Sequence, residues 1–595
     1  MRSWLLMILL VGASVDCQAG ETNCFAPFLV DDPPKIVETI STGIEEGVEV
    51  TRLKFLSRVV PPSGRPVIIY AVMARPTAPG PHPGLLVCHG GGGYADMVAP
   101  SVIGWAKRGF VAICQDQPGI CNVGKSRSSG PCLEPGASQF DVVEGPSDSA
   151  LFDGVAAALN SLALLRSQPD VDKSRIGVFG GSWGGYMTTM VTGLAGKRVH
   201  AAFSVYGCGY FDVGSSWTHT LDSLAPEARR IWLDHLDAGR RANNLSAAYF
   251  VPSPTNDWYF WPPAVMRTLA DVPGEKNYCF MPNDSHSLRQ PGGMSGPPPV
   301  NHRYHRTYME IVWLEYHLLG KGKPFPRATD AGHPKREGDA VRVAFDVRGP
   351  EPITQATVWY AAGELPWRLK WWAAVPARGV DEQSGRYMAV VPVDEPDQPL
   401  HWFGLATDRR NVSVSTLVRA LDSTSLGLTL EGHAPAPFKQ DFEDPAEHLR
   451  WRRKYADRSP GRHQVCAEAA RTGEYGLKLS GQGTFACWGL RAATLRRSGA
   501  TKIRLWVRAV EKPCPLPAIA LLAELPDSRR FEWRWAKPPQ EPLALEWQAV
   551  DVPLAELEPT GAEPAPVEML SSALGQLRLV TTEETNVYLD DVEAR

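Results

Sequence analysis

The run Arg175-Ile176-Gly177-Val178-Phe179-Gly180-Gly181-Ser182-Trp183-Gly184-Gly185-Tyr186 admits few folds. An apolar, β-leaning stretch enters a G-x-S-x-G turn at Ser182, and a small-residue segment, Met187 to Ala195, leaves it in a helix-compatible pattern. Strand, tight turn, helix is the setting in which a serine is held in a strained backbone conformation with its hydroxyl presented at the tip. Gly180 and Gly184, two before and two after, must lack side chains for strand and helix to close on one another. Ser182 is therefore expected to be a nucleophile. A phosphate-binding loop is excluded, because the Lys-Ser/Thr pair that it needs is missing.

Around this turn, strand-like and helix-like stretches alternate. Leu85 to Cys88, Phe110 to Cys114, Ala201 to Tyr206, Ala247 to Val251 and Asn277 to Met281 are short apolar runs, and Ser149 to Leu165 is a long Ala- and Leu-rich helix. Continuous apolar strands separated by helices indicate a mostly parallel, doubly wound sheet covered on both faces. Val48 to Val59 and Pro66 to Ala74 read as two further strands around Pro61-Pro62-Ser63-Gly64, and Leu221 to Leu245 as an insertion placed where lids project. From Val341 the pattern becomes short alternating strands without long helices, and Gly432 to Pro437 reads as a linker. The expected organisation of the 595 residues is an α/β catalytic domain over 22–325, a β-sandwich over 335–430 and a second β-rich domain over 438–595.

The first residues carry a different signal. Met1-Arg2, an apolar run from Trp4 to Val11 and a small-residue end at Ala19 predict a secretory signal peptide over 1–19, and hence a secreted or periplasmic protein. Eleven cysteines are too few for a dense disulfide framework, though Cys121 with Cys132 and Cys466 with Cys487 are candidate bridges. The net charge of −4 gives no reason to expect nucleic acid or an anionic membrane surface as partner. No cofactor and no metal site is expected from residue spacing. Asp590 and Asp591 are paired acids at a strand end, open either to a structural calcium or to solvent.

A serine hydroxyl needs a base, and the base an orienting acid. In a sheet of this kind the chain order is Ser, then Asp or Glu, then His. His286 follows the last apolar strand through Pro282-Asn283-Asp284-Ser285, and is the expected base ahead of His302 and His305. Asp257 follows Ala248 to Val251 at the expected carboxyl end, and is preferred as acid over Asp284 and Asp271. The oxyanion of acyl transfer needs two N–H donors. Trp183, after the nucleophile, is one candidate. The loop His89-Gly90-Gly91-Gly92-Gly93-Tyr94 offers the other, with Gly91 and Gly92 as candidates.

The segment Asp170 to Thr188, with Gly-Gly-Ser-Trp-Gly-Gly-Tyr-Met-Thr, resembles the nucleophile region of α/β-hydrolases, most closely the prolyl-oligopeptidase-like group and its acetylxylan-esterase and dienelactone-hydrolase relatives. The resemblance covers about half of the chain. It implies an α/β-hydrolase fold followed by two all-β sandwiches, and a Ser182–His286–Asp257 serine hydrolase. Phe442-Glu443-Asp444, Gly473 to Leu479 and Tyr588 to Val592 resemble galactose-binding-like jelly rolls, many of which bind carbohydrate. Trp488, Trp506, Trp533, Trp535 and Trp547 are then candidate sugar-stacking or core residues, as are Trp367, Trp371 and Trp372 in the preceding sandwich. Three functions are thus in play: an esterase deacylating a small-molecule or polysaccharide ester, a serine peptidase of the prolyl-oligopeptidase type, and a non-catalytic carbohydrate-binding protein. The resemblance to prolyl oligopeptidases implies a long propeller before the catalytic domain, whereas only about sixty residues precede the first hydrolase strands here, which disfavours the second.

Overall fold

The computed structural model describes residues 23–286 and 302–595, apart from 364–365, 381–384, 432–437, 445–446, 454–458, 492–493, 496–497, 525–528 and 561–573. The expected signal peptide lies outside the described residues. No described helix is long and apolar enough to cross a membrane.

Nine strands form the first sheet: β1 (Ile36–Glu45), β2 (Val48–Val60), β3 (Arg65–Pro76), β4 (His82–Cys88), β5 (Val111–Gln115), β6 (Val171–Gly181), β7 (Ala201–Val205), β8 (Ala248–Pro254) and β9 (Lys276–Met281). Their spatial order is β1-β2-β3-β5-β4-β6-β7-β8-β9. The first three pair antiparallel and the rest run parallel from β5 to β9. This is the α/β-hydrolase fold with one further strand, β1, at its edge. Every residue of β5, β7 and β8 is buried, as their largely apolar composition suits in a sheet covered on both faces.

The covering helices are α1 (Ala95–Lys107), α2 (Ala150–Arg166), α3 (Trp183–Ala195), the short α4 (Phe211–Gly214) and α5 (Thr218–Asp222), α6 (Pro226–Leu236), α7 (Pro262–Asp271) and α8 (His302–Leu319). Ser149 caps α2, its hydroxyl accepting from the Leu151 N–H at 3.1 Å. Only Arg166, at the end of α2, escapes full burial, which is why Ala and Leu occupy all its faces.

The stretch Leu221 to Leu245 does not project as a lid. Trp232, Leu236 and Leu245 are fully buried, and the buried Asp237 carboxylate accepts from the N–H groups of Tyr210, Phe211 and Gly239. A carboxylate with three backbone donors anchors the segment to the body of the domain.

Two antiparallel sheets follow between Arg327 and Asp422 and face each other as a sandwich. Their core continues into the hydrolase sheet, where Phe280 of β9 meets Phe403 at 6.2 Å between ring centroids. Residues Lys439 to Ala594 build two six-stranded antiparallel sheets around a separate core that includes Trp451 and Trp533. Glu443 joins two of the jelly-roll motifs, accepting from the N–H groups of Glu474 and Tyr475.

Several sequence expectations are corrected here. All ten described cysteines are free thiols, so neither Cys121–Cys132 nor Cys466–Cys487 is bridged. For the tryptophans it is the core alternative that holds at Trp372, Trp488, Trp533 and Trp535, all of them buried. The half-buried Trp506 and Trp547 each carry an arginine over the ring, Arg471 and Arg508. Asp590 and Asp591 are buried rather than solvated, and their oxygens accept from the Arg471 and Thr472 N–H groups and the Arg471 guanidinium.

On α8, Glu310 is 4% exposed and its Oε2 has no hydrogen-bond partner among the described residues. Burial pushes its carboxyl up to about 7, against the opposing pull of Arg306 and Arg108. Folding therefore favours the protonated form. The resulting stability is complete below the ordinary value of 4.5 and is lost as pH rises through about 7. Glu310→Gln should flatten that decline and raise the melting temperature at pH 8, the effect being worth up to about 3 kcal/mol. A melting profile unchanged between pH 4.5 and 8 would contradict this.

Candidate active site

Register brings the nucleophile to the carboxyl edge of the sheet. β6 pairs Gly180 with Cys88 of β4 and Gly181 with Val205 of β7, so the chain leaves the sheet at Ser182. There the backbone adopts φ 60°, ψ −126°, a conformation that costs a residue with a Cβ about 1–3 kcal/mol. Close packing holds it there. A Cβ on Gly180 would lie 2.5 Å from the Gly184 carbonyl oxygen, and one on Gly184 would lie 2.2 Å from that of Cys88. The Ser182 N–H donates to the Val205 carbonyl at 3.1 Å, and the Tyr186 N–H to the Ser182 carbonyl at 2.9 Å.

The loops after β8 and β9 supply the partners. Ser182 Oγ is 2.8 Å from His286 Nε2, and His286 Nδ1 is 3.0 and 3.1 Å from the two oxygens of Asp257. Asp257 is fully buried, and its Oδ1 also accepts from the N–H groups of Tyr259 and Phe260. With the carboxylate fixed, the imidazole carries its proton on Nδ1 and turns an unprotonated Nε2 to the serine. Tyr206, Tyr259 and Phe260 surround the ring, with centroids 4.6, 4.7 and 5.9 Å away.

The rival residues lie elsewhere. Asp271 accepts from the Tyr210 hydroxyl, and Asp284 is buried with its Oδ1 on the Ser285 N–H. His302 and His305 begin α8, where their side chains are outside the described residues.

The glycine loop after β4 lies directly against the nucleophile. A Cβ on Gly90 would approach that of Ser182 to 3.4 Å, and one on Gly91 would meet the Trp183 indole at 2.8 Å. His89, 1% exposed, sets the loop's peptide plane. Its Nε2 accepts from the Gln117 N–H at 3.1 Å, so its proton sits on Nδ1 and is donated to the Gly90 carbonyl at 2.8 Å. Burial lowers its pKa and keeps the ring neutral in this role. The Gly93 N–H holds the same carbonyl at 3.0 Å. Carbonyl and N–H of one planar peptide point in opposite directions, so pinning the Gly90 carbonyl turns the Gly91 N–H the other way.

Among the described residues the Gly91 N–H donates to no backbone carbonyl, and Trp183, as the first residue of α3, has no intrahelical acceptor. These two N–H groups remain as candidates for the oxyanion. Gly92 is a correction: its N–H is committed to the Ile120 carbonyl at 2.7 Å, and its φ of 73° carries the chain away.

Two asparagines that the sequence reading passed over hold both loops to the first sandwich. Asn256 Nδ2, beside the acid, donates to the carbonyls of Trp367 and Lys370 at 3.0 and 2.6 Å. Asn283, before His286, donates to the Trp372 carbonyl at 2.7 Å and accepts the Trp372 N–H at 2.8 Å. Its φ of 56° is a conformation that asparagine tolerates better than most residues.

Residues 153–249 match the prolyl oligopeptidase family. No curated protein matches the chain significantly. Among solved structures, acetyl xylan esterase 1 from Thermoanaerobacterium sp. JW/SL YS485 is 18% identical, with 48% of this chain and 90% of that chain covered and a TM-score of 0.37. The acetyl xylan esterase from Paenibacillus sp. R4 is 18% identical, with coverage of 49% and 92% and a TM-score of 0.38. The acylaminoacyl peptidase from Pyrococcus horikoshii is 18% identical, with coverage of 48% and 51% and a TM-score of 0.33.

Two substitutions probe this arrangement. His89→Ala should release the Gly90 carbonyl and lower kcat by about 10- to 100-fold with little change in KM, since one oxyanion donor is worth about 3 kcal/mol when lost outright. Asn283→Ala should likewise lower kcat about ten-fold by loosening the His286 loop, at an order-of-magnitude cost of about 1–3 kcal/mol for the unpaired groups it leaves. Steady-state kinetics on a chromogenic ester reads both, and kcat unchanged in either variant would remove that residue from the account.

Proposed function

We propose that this serine hydrolase of the α/β-hydrolase superfamily is a carboxylic-ester hydrolase, acting in the manner of an acetylxylan esterase on acyl groups of a polysaccharide. The observation that carries the reading is the unbroken hydrogen-bonded chain from Ser182 Oγ through His286 to Asp257 at the carboxyl edge of the sheet. Ser182 attacks the ester carbonyl while Nε2 takes its proton. Asp257 keeps Nδ1 protonated and steadies the imidazolium that forms. The Trp183 and Gly91 N–H groups receive the oxyanion, the alcohol leaves with the proton from Nε2, and water then releases the acyl group by the same route.

A crowded aromatic cluster supports a small acyl group. The Trp183 indole packs against Tyr186, Phe211 and Trp217, with centroids 4.8 to 5.5 Å away. Export through the N-terminal segment, and a carbohydrate-contacting role for the last sandwich, belong to the same proposal. The match of residues 153–249 favours a second reading, a serine peptidase of the prolyl oligopeptidase type.

Ser182→Ala should cut p-nitrophenyl acetate hydrolysis by at least about 10⁴-fold and abolish labelling by a fluorophosphonate. Full-length enzyme should release acetate from acetylated xylan faster than it cleaves aminoacyl anilides. The reverse ranking would replace the esterase with the peptidase, and unlabelled Ser182 would remove both.

A further inference from the structure

Beside the catalytic acid lies a cavity of about 320 Å³ built by all three domains. Ser216, Trp258 and Tyr259 come from the hydrolase domain, Arg368 and Leu369 from the first sandwich, and Leu522, Glu524, Arg530, Gln576 and Arg578 from the last. Trp258 and Tyr259 directly follow Asp257 in sequence, and the Tyr259 ring lies 4.7 Å from that of His286. The cavity is therefore one side chain away from the base.

Among the described residues its charge is unbalanced. Three guanidiniums, Arg368, Arg530 and Arg578, line it with a single carboxylate, Glu524. Glu524 is shared between Arg368 and Arg530. Arg578 pairs with Glu532, which also serves Arg534. Four guanidiniums thus divide two carboxylates. Arg368 is 6% exposed, and its Nε has no hydrogen-bond partner among the described residues. Burial lowers the pKa of all three lining arginines, the sign of positive charge held without full compensation. The Trp258 indole has Arg368 and Arg530 stacked over it, at 5.4 and 5.8 Å, so its ring is occupied by cations rather than left as a platform for a neutral sugar.

We propose that this cavity is a subsite for an oxyanion, a carboxylate or a sulfate, carried by the ester substrate away from its scissile bond. The proposal rests on the ester-hydrolase reading for its setting. An incoming oxyanion finds planar donors suited to bidentate recognition and relieves the surplus positive charge, and the volume fits about one charged sugar residue. Specificity would then come from the last sandwich, while the bond-making groups come from the first domain.

Binding is measured by calorimetry on the full-length Ser182→Ala protein, independently of turnover. The ligands are trigalacturonate, a sulfated galactan oligosaccharide and neutral xylotriose, at low salt and at raised ionic strength. At least one anionic ligand should bind about ten-fold more tightly than xylotriose and weaken as salt rises. Adding Arg530→Gln should reduce that preference by about ten-fold, and its half-exposed position keeps folding intact if Arg578→Gln does not fold. The stronger of the two anionic ligands separates carboxylate from sulfate. Equal binding of neutral and anionic ligands, or an anion preference untouched by Arg530→Gln, overturns the subsite. If wild-type protein hydrolyses no ester while the anion preference persists, the ester-hydrolase reading falls and the subsite stands.

Discussion

The sharp backbone turn at Ser182 is the constraint around which the catalytic domain is arranged. With φ 60° and ψ −126°, the residue persists only where its surroundings leave no alternative. β4 and β7 lie against the turn so closely that Gly180, Gly184 and Gly185 have no room for a Cβ. That same closeness puts the His89 loop beside Ser182, so one packing event fixes both the serine and the glycine loop next to it.

Asp257 and His286 are held by a different principle. Their loops leave the sheet after β8 and β9, and each is tied by an asparagine to the Trp367–Trp372 segment of the first sandwich. Phe280 at the end of β9 also donates its N–H to Ser415 Oγ at 2.8 Å. The first sandwich therefore belongs to the catalytic apparatus structurally, although it supplies no reacting atom. The last sandwich joins through the small cluster of Leu369, Ala486, Trp488 and Trp258, where the buried Arg452 stacks on Trp488 at 4.8 Å with the charge of Asp284 nearby.

What could be read from the chain alone was whatever local pattern dictates. The apolar runs of β4 to β9 announce a covered sheet because full burial demands unbroken hydrophobicity, and the glycines around Ser182 announce the elbow because sterics permit nothing larger. Ser182, Asp257 and His286 follow from the order in which the strands end. The Gly92 assignment failed for a related reason: in a run of four glycines every residue is permissive, and only the Ile120 carbonyl across the loop decides whose N–H is taken. Asn256 and Asn283 were invisible because their partners are backbone groups about ninety or more residues away. The tryptophans of the last sandwich could not be sorted into core and surface until the strands' facing was known.

The asparagine ties bind main-chain carbonyls and one amide of the Trp367–Trp372 segment, never its side chains. The two loops thus depend on that stretch's path through space and not on its side chains, which answer instead to their own burial at Arg368, Leu369 and Trp372. For the tie to Asn283, position 372 must keep its amide hydrogen, which bars proline there.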